Sequence, residues 1–314
     1  MEKRPLLAGI SPHADSARHP INTGEKADIS TILQLIDVHP PYFALHEIRI
    51  YPDQTVSARV QIEQPTGYES GPVSCAEASR HMAILGSVSC SFANPVKSRH
   101  FYLAGEGSYQ QINGVSSSAG KVLTIQAKCT YLDKRKARAQ CRLLDAEHNL
   151  IAEISVCFHV VTYPVFERLY KPHYKSAPDF SVSNPYLRKN ELLNIQCASQ
   201  QASASLGMIR DQYCAGHFPY FPALPVAILM NSLLDLTTAY IQSVLNTQSF
   251  RIHVKKLELV ADNLGFAGEQ LNLFLDMVAR NGNIFVVRCY AITDTNKKTG
   301  TINAEIEIAD TITS

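Results

Sequence analysis

Alternation of apolar and polar residues organises most of this chain. Residues 48–64, IRIYPDQTVSARVQIEQ, alternate with the period of two that gives a strand one core-facing side. Residues 71–89, GPVSCAEASRHMAILGSVS, change to a helical spacing. Strand-like runs follow at 100–103, 122–131, 137–144 and 151–162. Residues 163–186 hold four prolines and little periodicity, and read as a connector. The order then repeats: a strand-like run at 192–208, a long apolar helix at 223–245, and strands at 252–261, 270–279, 283–292 and 302–308. The tetrapeptide RNGN at 280–283 places a hairpin turn between two of these strands. Strand, one long buried helix and several antiparallel strands, twice over, predict two copies of an α+β unit. The boundaries are an N-terminal extension at 1–31, a first repeat at 32–162, a linker at 163–190 and a second repeat at 191–314.

The helix at 223–245 is long enough to span a bilayer, but Asn231 and Asp235 interrupt it, and a helix apolar nearly all round equally suits a buried core. No membrane span is expected. The charge balance, 29 basic against 28 acidic residues, gives a net charge of +1 and no general attraction to nucleic acid or anionic lipid. None of the eight cysteines forms a C-x-x-C pair, so they read as small buried thiols of a reducing compartment. No apolar leader opens the chain, and a cytoplasmic protein is expected. Neither a glycine-rich phosphate loop nor an H-E-x-x-H pair is present, so no cofactor and no metal are expected. The basic run 133–142, DKRKARAQCR, reads as a solvated face, with docking of an acidic acyl carrier protein as its functional alternative.

Residues 216–231, GHFPYFPALPVAILMN, set a titratable ring at the mouth of the apolar helix. Gly216, His217, Phe218, Pro219, Pro222 and Pro225 match the active-site motif of the β-hydroxyacyl-acyl-carrier-protein dehydratases, which this chain resembles. With the repeated element order, the resemblance implies a double hotdog: two long buried helices wrapped by antiparallel sheets as a pseudo-dimer. It also implies an acyl-carrier-protein or coenzyme A thioester as substrate, in fatty-acid or polyketide assembly. A homodimer of two such chains is left open. The motif departs from the family in two places. Val226 replaces the usual glycine, and Asn231 stands fourteen positions after His217, where the family carries a carboxylate. An amide cannot transfer the proton that a carboxyl group handles.

Aligning the two helix starts, PVSCAE over VAILMN, brings Glu77 onto Asn231, and fourteen residues before Glu77 stands Glu63 rather than histidine. The resemblance then implies one composite site, with His217 as base and Glu77 as acid for the dehydration of 3-hydroxyacyl thioesters. Fused polyketide dehydratase domains usually carry histidine in the first hotdog and acid in the second; here the order is reversed. Helix-terminal amides near Val226 or near Val73 would bind the thioester oxygen. Pro225, Phe218, Tyr220 and Asn231 complete the expected substrate wall, and Tyr220 with Phe221 would shape it for an unusual acyl group. Arg80 and His81 read as packing or an ion pair beside Glu77. Two other functions stay open: hydrolysis of an acyl thioester, with a helix glutamate activating water or attacking the thioester, and acyl binding without chemistry, as in an inactive partner subunit.

Overall fold

The computed structural model of the protein describes residues 24–112, 122–178 and 183–309. The first part contains β1 (Glu25–Lys26), α1 (Ile29–Ile36), β2 (Leu45–Ile50), β3 (Val56–Gln61), the long helix α2 (Cys75–Ala93) and four strands, β4 (His100–Gln111), β5 (Val122–Leu132), β6 (Lys136–Leu144) and β7 (Leu150–Thr162). After α3 (Tyr163–Tyr170) come β8 (Leu193–Cys197), β9 (Gln201–Met208), the long helix α4 (Val226–Leu245) and β10 (Arg251–Ala261), β11 (Gln270–Asn281), β12 (Ile284–Thr293) and β13 (Lys298–Ala309). Part of the expected extension, residues 1–23, lies outside the described residues; the rest of it holds β1 and the start of α1.

All thirteen strands join one antiparallel sheet in the order β1-β2-β3-β5-β6-β7-β4-β10-β13-β12-β11-β9-β8. Read inward from each edge, β2-β3-β5-β6-β7-β4 and β8-β9-β11-β12-β13-β10 have the same connectivity, and each half places its long helix between its second and third strands in the chain. The halves meet where β4 pairs with β10, in a register that sets Tyr109 beside Leu257 and Gly107 beside Leu259. Helices α2 and α4 touch each other. Met82, Leu85 and Val88 of α2 and Leu233, Leu236 and Ile241 of α4 are buried. Each such side chain contributes about 1.5–3 kcal/mol on leaving water. Among the described residues, no helix is long and apolar enough to cross a membrane.

Several elements depart from the sequence expectation for local reasons. The run 48–64 is two strands joined by a turn, in which Tyr51 and Thr55 bond each other across Asp53 and Gln54 turns left-handed at φ 66°. The run 192–208 is likewise a hairpin, closed by the bond from Ala198 N to Gln201 O. In both places the polar turn residues keep the alternating pattern, so periodicity alone runs through them. β4 extends eight residues past its expected end, through two glycines, because pairing with β7 and β10 outweighs the low strand preference of glycine. The expected connector contains α3, entered through Pro164 in its first turn and anchored by the buried Phe166. Finally, α2 begins at Cys75, not near Val73, because Ser74 is its N-cap and accepts from Glu77 N at 3.3 Å. With the observed starts aligned, Cys75 over Val226, it is Arg80 and not Glu77 that corresponds to Asn231.

Candidate active site

The loop ahead of α4 is locked to the first half of the chain. Gly216 adopts φ 78°, and a Cβ there would lie 2.2 Å from the carbonyl oxygen of His39, so only glycine fits. The Gly216 carbonyl accepts from His39 N at 2.7 Å, and Val38 bridges His217. At the loop's other end, Leu224 N donates to Gly265 O and Ala267 N to Pro222 O. His217 is thus held between the segment following α1 and the first turn of α4.

The imidazole itself has one defined partner. A carbonyl can only accept, so the 2.8 Å contact with Ala223 O places a proton on His217 Nδ1. The ring stacks on Phe218 at 3.9 Å and meets the edge of Tyr42 at 5.1 Å. Burial pushes its pKa down to about 4, against the opposing pull of the Ala223 bond and of the Asp37 carboxylate. Near neutrality the ring is therefore uncharged, with the lone pair on Nε2 free to take a proton.

His217 lines a cavity of about 450 Å³ set between α2, α4 and strands β4, β7 and β10. The volume falls within the range of about 300–1,000 Å³ usual for small-molecule sites. Phe218 and Val226, both expected here, also line it, with Ala227 and Met230 of α4 and Ser79, Ala83 and Ser87 of α2. Helix α4 enters the cavity uncapped: its N-cap is Pro225, which has no side chain to accept a bond. The amides of Ile228 and Leu229 bond back to Pro225 O, whereas those of Val226 and Ala227 have no partner among the described residues. Two free donors at the positive end of a helix, on the wall that His217 shares, suit a developing oxyanion.

The other expected residues lie elsewhere. Glu77 is buried, but it is absent from this cavity's wall. Its side chain turns to the loop after β3. Its carboxylate accepts from the backbone amides of Glu63 at 2.6 Å and Gln64 at 3.3 Å. No hydrogen bond or ion pair joins it to His217; Tyr42 and Arg80 stand along the way. Asn231 faces a much smaller void with Gln64 and Tyr186, and its Oδ1 is unpartnered. Val73 lines a third void beside Glu69 and Cys75. Pro225 caps α4, and Tyr220 stacks on Tyr174 at 6.1 Å, off the cavity wall.

Around Glu77 lies a charge network. Arg80 pairs with Glu63, Asn184 Nδ2 donates to Glu63 Oε1 at 2.7 Å, and His81 Nε2 lies 3.6 Å from Glu77. Burial and the nearby Arg80 charge hold the His81 pKa below its ordinary value. Among the described residues, Glu63, Glu77 and His81 are the group whose donor atoms approach the spacing of a metal site. Both carboxylates are already engaged, by backbone amides and by Arg80, so the group reads as an internal ion-pair network. The Arg80 guanidinium also lies over the rings of Tyr42 at 5.5 Å and Tyr186 at 5.1 Å. Tyr186 in turn donates to Ala215 O at 2.8 Å, at the start of the His217 loop. Tyr42 escaped the sequence reading because it sits in an aperiodic segment, HPPYF, whose place at the site depends on the bridge from Val38 to His217.

No family model matches the sequence, and no curated protein is similar to it. Solved structures are similar in fold. An acyl-ACP thioesterase from Bacteroides thetaiotaomicron aligns over 81% of this chain and 98% of its own, with TM-score 0.51 at 10% identity. An acyl-CoA thioesterase II from Mycobacterium marinum aligns over 82% and 94%, with TM-score 0.51 at 10% identity. A protein of unknown function with a hot dog fold from Alicyclobacillus acidocaldarius aligns over 86% and 97%, with TM-score 0.52 at 8% identity. The chain has a hotdog fold, in a large antiparallel sheet with few helices. The resemblance to dehydratases holds at this level of fold; the named enzymes among these neighbours are thioesterases.

Proposed function

We propose that this protein is a double hotdog, a fused pseudo-dimer, that hydrolyses acyl thioesters carried by acyl carrier protein or coenzyme A. The observation that carries the reading is the neutral His217, with Nε2 free, on the wall of an apolar cavity beside two unbonded amides of α4. The thioesterases of similar fold support the same class of chemistry. Nε2 takes a proton from water as the oxygen attacks the thioester carbonyl. The amides of Val226 and Ala227 bind the resulting oxyanion. Collapse of the tetrahedral intermediate breaks the carbon–sulfur bond, and the proton on His217 passes to the leaving thiolate. Glu77 is then a structural residue of the charge network. The first repeat at 32–162 and the second at 191–314 each supply a helix to the His217 cavity, joined by the linker at 163–190.

One observation favours a second reading, dehydration of 3-hydroxyacyl thioesters: the run from Gly216 to Pro225 keeps the dehydratase spacing around His217. A single assay that follows both free thiol and enoyl absorbance separates the two. Thiol release without enoyl formation supports hydrolysis. Enoyl formation from a 3-hydroxyacyl thioester without thiol release supports dehydration and overturns the first reading.

A further inference from the structure

Tyr42 is 5% exposed, yet its hydroxyl makes no hydrogen bond with any described residue. Tyr109, 8% exposed and lining the same cavity as Tyr42, likewise has no hydroxyl partner among the described residues, whereas three other buried tyrosines are bonded. Tyr102 accepts from Asn94, Tyr186 donates to Ala215 O and Tyr240 donates to Ser199 O. The Tyr42 oxygen is not sealed in the core and keeps access to open space, where a ligand can bond it. Tyr42 lines the large cavity, with its ring edge against the His217 imidazole at 5.1 Å.

Resting on the thioester reading above, we propose that Tyr42 is a catalytic residue, whose phenol donates a hydrogen bond to the substrate oxygen that gains charge as His217 removes the proton from water. Its donor joins the amides of Val226 and Ala227, which bind the same oxygen. Burial raises the phenol pKa well above its ordinary value, so the group stays protonated and offers a donor, never a repelling charge. Arg80 over the ring, at 5.5 Å, pulls in the other direction and polarises the O–H bond. No proton leaves Tyr42 in this step; the proton from water goes to His217 and then to the departing sulfur.

The test compares the full chain with Tyr42→Phe, and with a variant carrying 3-fluorotyrosine at position 42, on lauroyl-coenzyme A with free thiol as readout. The loss of one oxyanion donor typically lowers kcat by about 10²–10³-fold. Tyr42→Phe is expected to lower kcat by at least tenfold with KM within about threefold, and to leave Tm unchanged or raised, since only an unpaired hydroxyl is removed. The fluorotyrosine variant keeps the hydroxyl and is expected to retain activity. Wild-type kcat in Tyr42→Phe, or a loss of kcat that merely follows a fall in Tm, overturns the proposal. A His217→Ala variant run alongside identifies the other failure: full activity there overturns the thioester mechanism itself.

Discussion

Helices α2 and α4 occupy equivalent places in the two halves of the sheet, yet their N-termini are finished in opposite ways. At α2 two of the first three amides are engaged: Cys75 N donates to Glu69 at 2.7 Å and Glu77 N to the Ser74 hydroxyl, while Ala76 N has no partner among the described residues. Near that first turn lie a small void lined by Glu69, Val73 and Cys75 and the network of Glu63, Glu77, Arg80 and His81. At α4 a proline stands at the cap, two amides stay free, and a neutral histidine shares the open wall. One end is tied into internal bonds; under the proposed function the other end serves the ligand.

The largest stability effect is expected on the filled side. Arg80 is buried, and its partner Glu63 is only slightly exposed, so removing the cation strands a buried carboxylate. Breaking a buried pair from one side typically costs about 3–5 kcal/mol. Arg80→Met should therefore lower stability by that order in urea or thermal unfolding. A loss below about 1 kcal/mol would show that the network contributes little.

A smaller effect, of the opposite kind, is expected at the open side as pH falls. The folded His217 pKa of about 4 lies below the ordinary histidine value of 6.5. Between those values the unfolded chain binds the proton more readily than the folded one. The contribution is present above pH 6.5 and is lost as pH falls toward 4, by on the order of 2–3 kcal/mol. Glu69 runs the other way, because burial raises its pKa to about 7, so its share is present at low pH and fades as pH rises through 7. Comparing wild type with His217→Asn cancels the Glu69 share. Wild type should lose stability relative to the variant between pH 6.5 and 4, and parallel curves would contradict the assignment.

The smallest effect is at the cap. Ser74→Ala should cost about 1 kcal/mol, the usual worth of an N-cap side chain. A substitution at Pro225, which makes no side-chain cap bond, should show no comparable loss of capping.

How far the sequence reaches is clearest at these same residues. The strand periodicities, the two long helices and the His217 loop were legible, because each is written in local spacing: alternation, helical runs, and prolines around Gly216. The partner of His217 was not. The expected pairing with Glu77 rested on aligning the two helix starts, and the observed start at Cys75 shifts that alignment, while Glu77 bonds the amides of Glu63 and Gln64. Tyr42 reaches the site through the tertiary bridge between Val38 and His217, a contact between residues far apart in the chain that no periodicity encodes. The hairpins in 48–64 and 192–208 escaped notice because their turns keep the polar–apolar rhythm. Which amides stay unbonded at the Val73 and Val226 ends is likewise set by the tertiary arrangement.

The most direct test sets the two helix ends against each other in one experiment. His217→Ala and Glu77→Gln are assayed for thiol release from the same acyl thioester, with Tm measured on each. Removing a general base typically costs about 10²–10⁴-fold in rate, so His217→Ala should lose activity on that scale with little change in Tm. Glu77→Gln should keep kcat within a few-fold while its Tm falls, because the ion-pair network around it is weakened. The reverse pattern, activity abolished in Glu77→Gln at an unchanged Tm and retained in His217→Ala, would contradict the placement of the chemistry at α4.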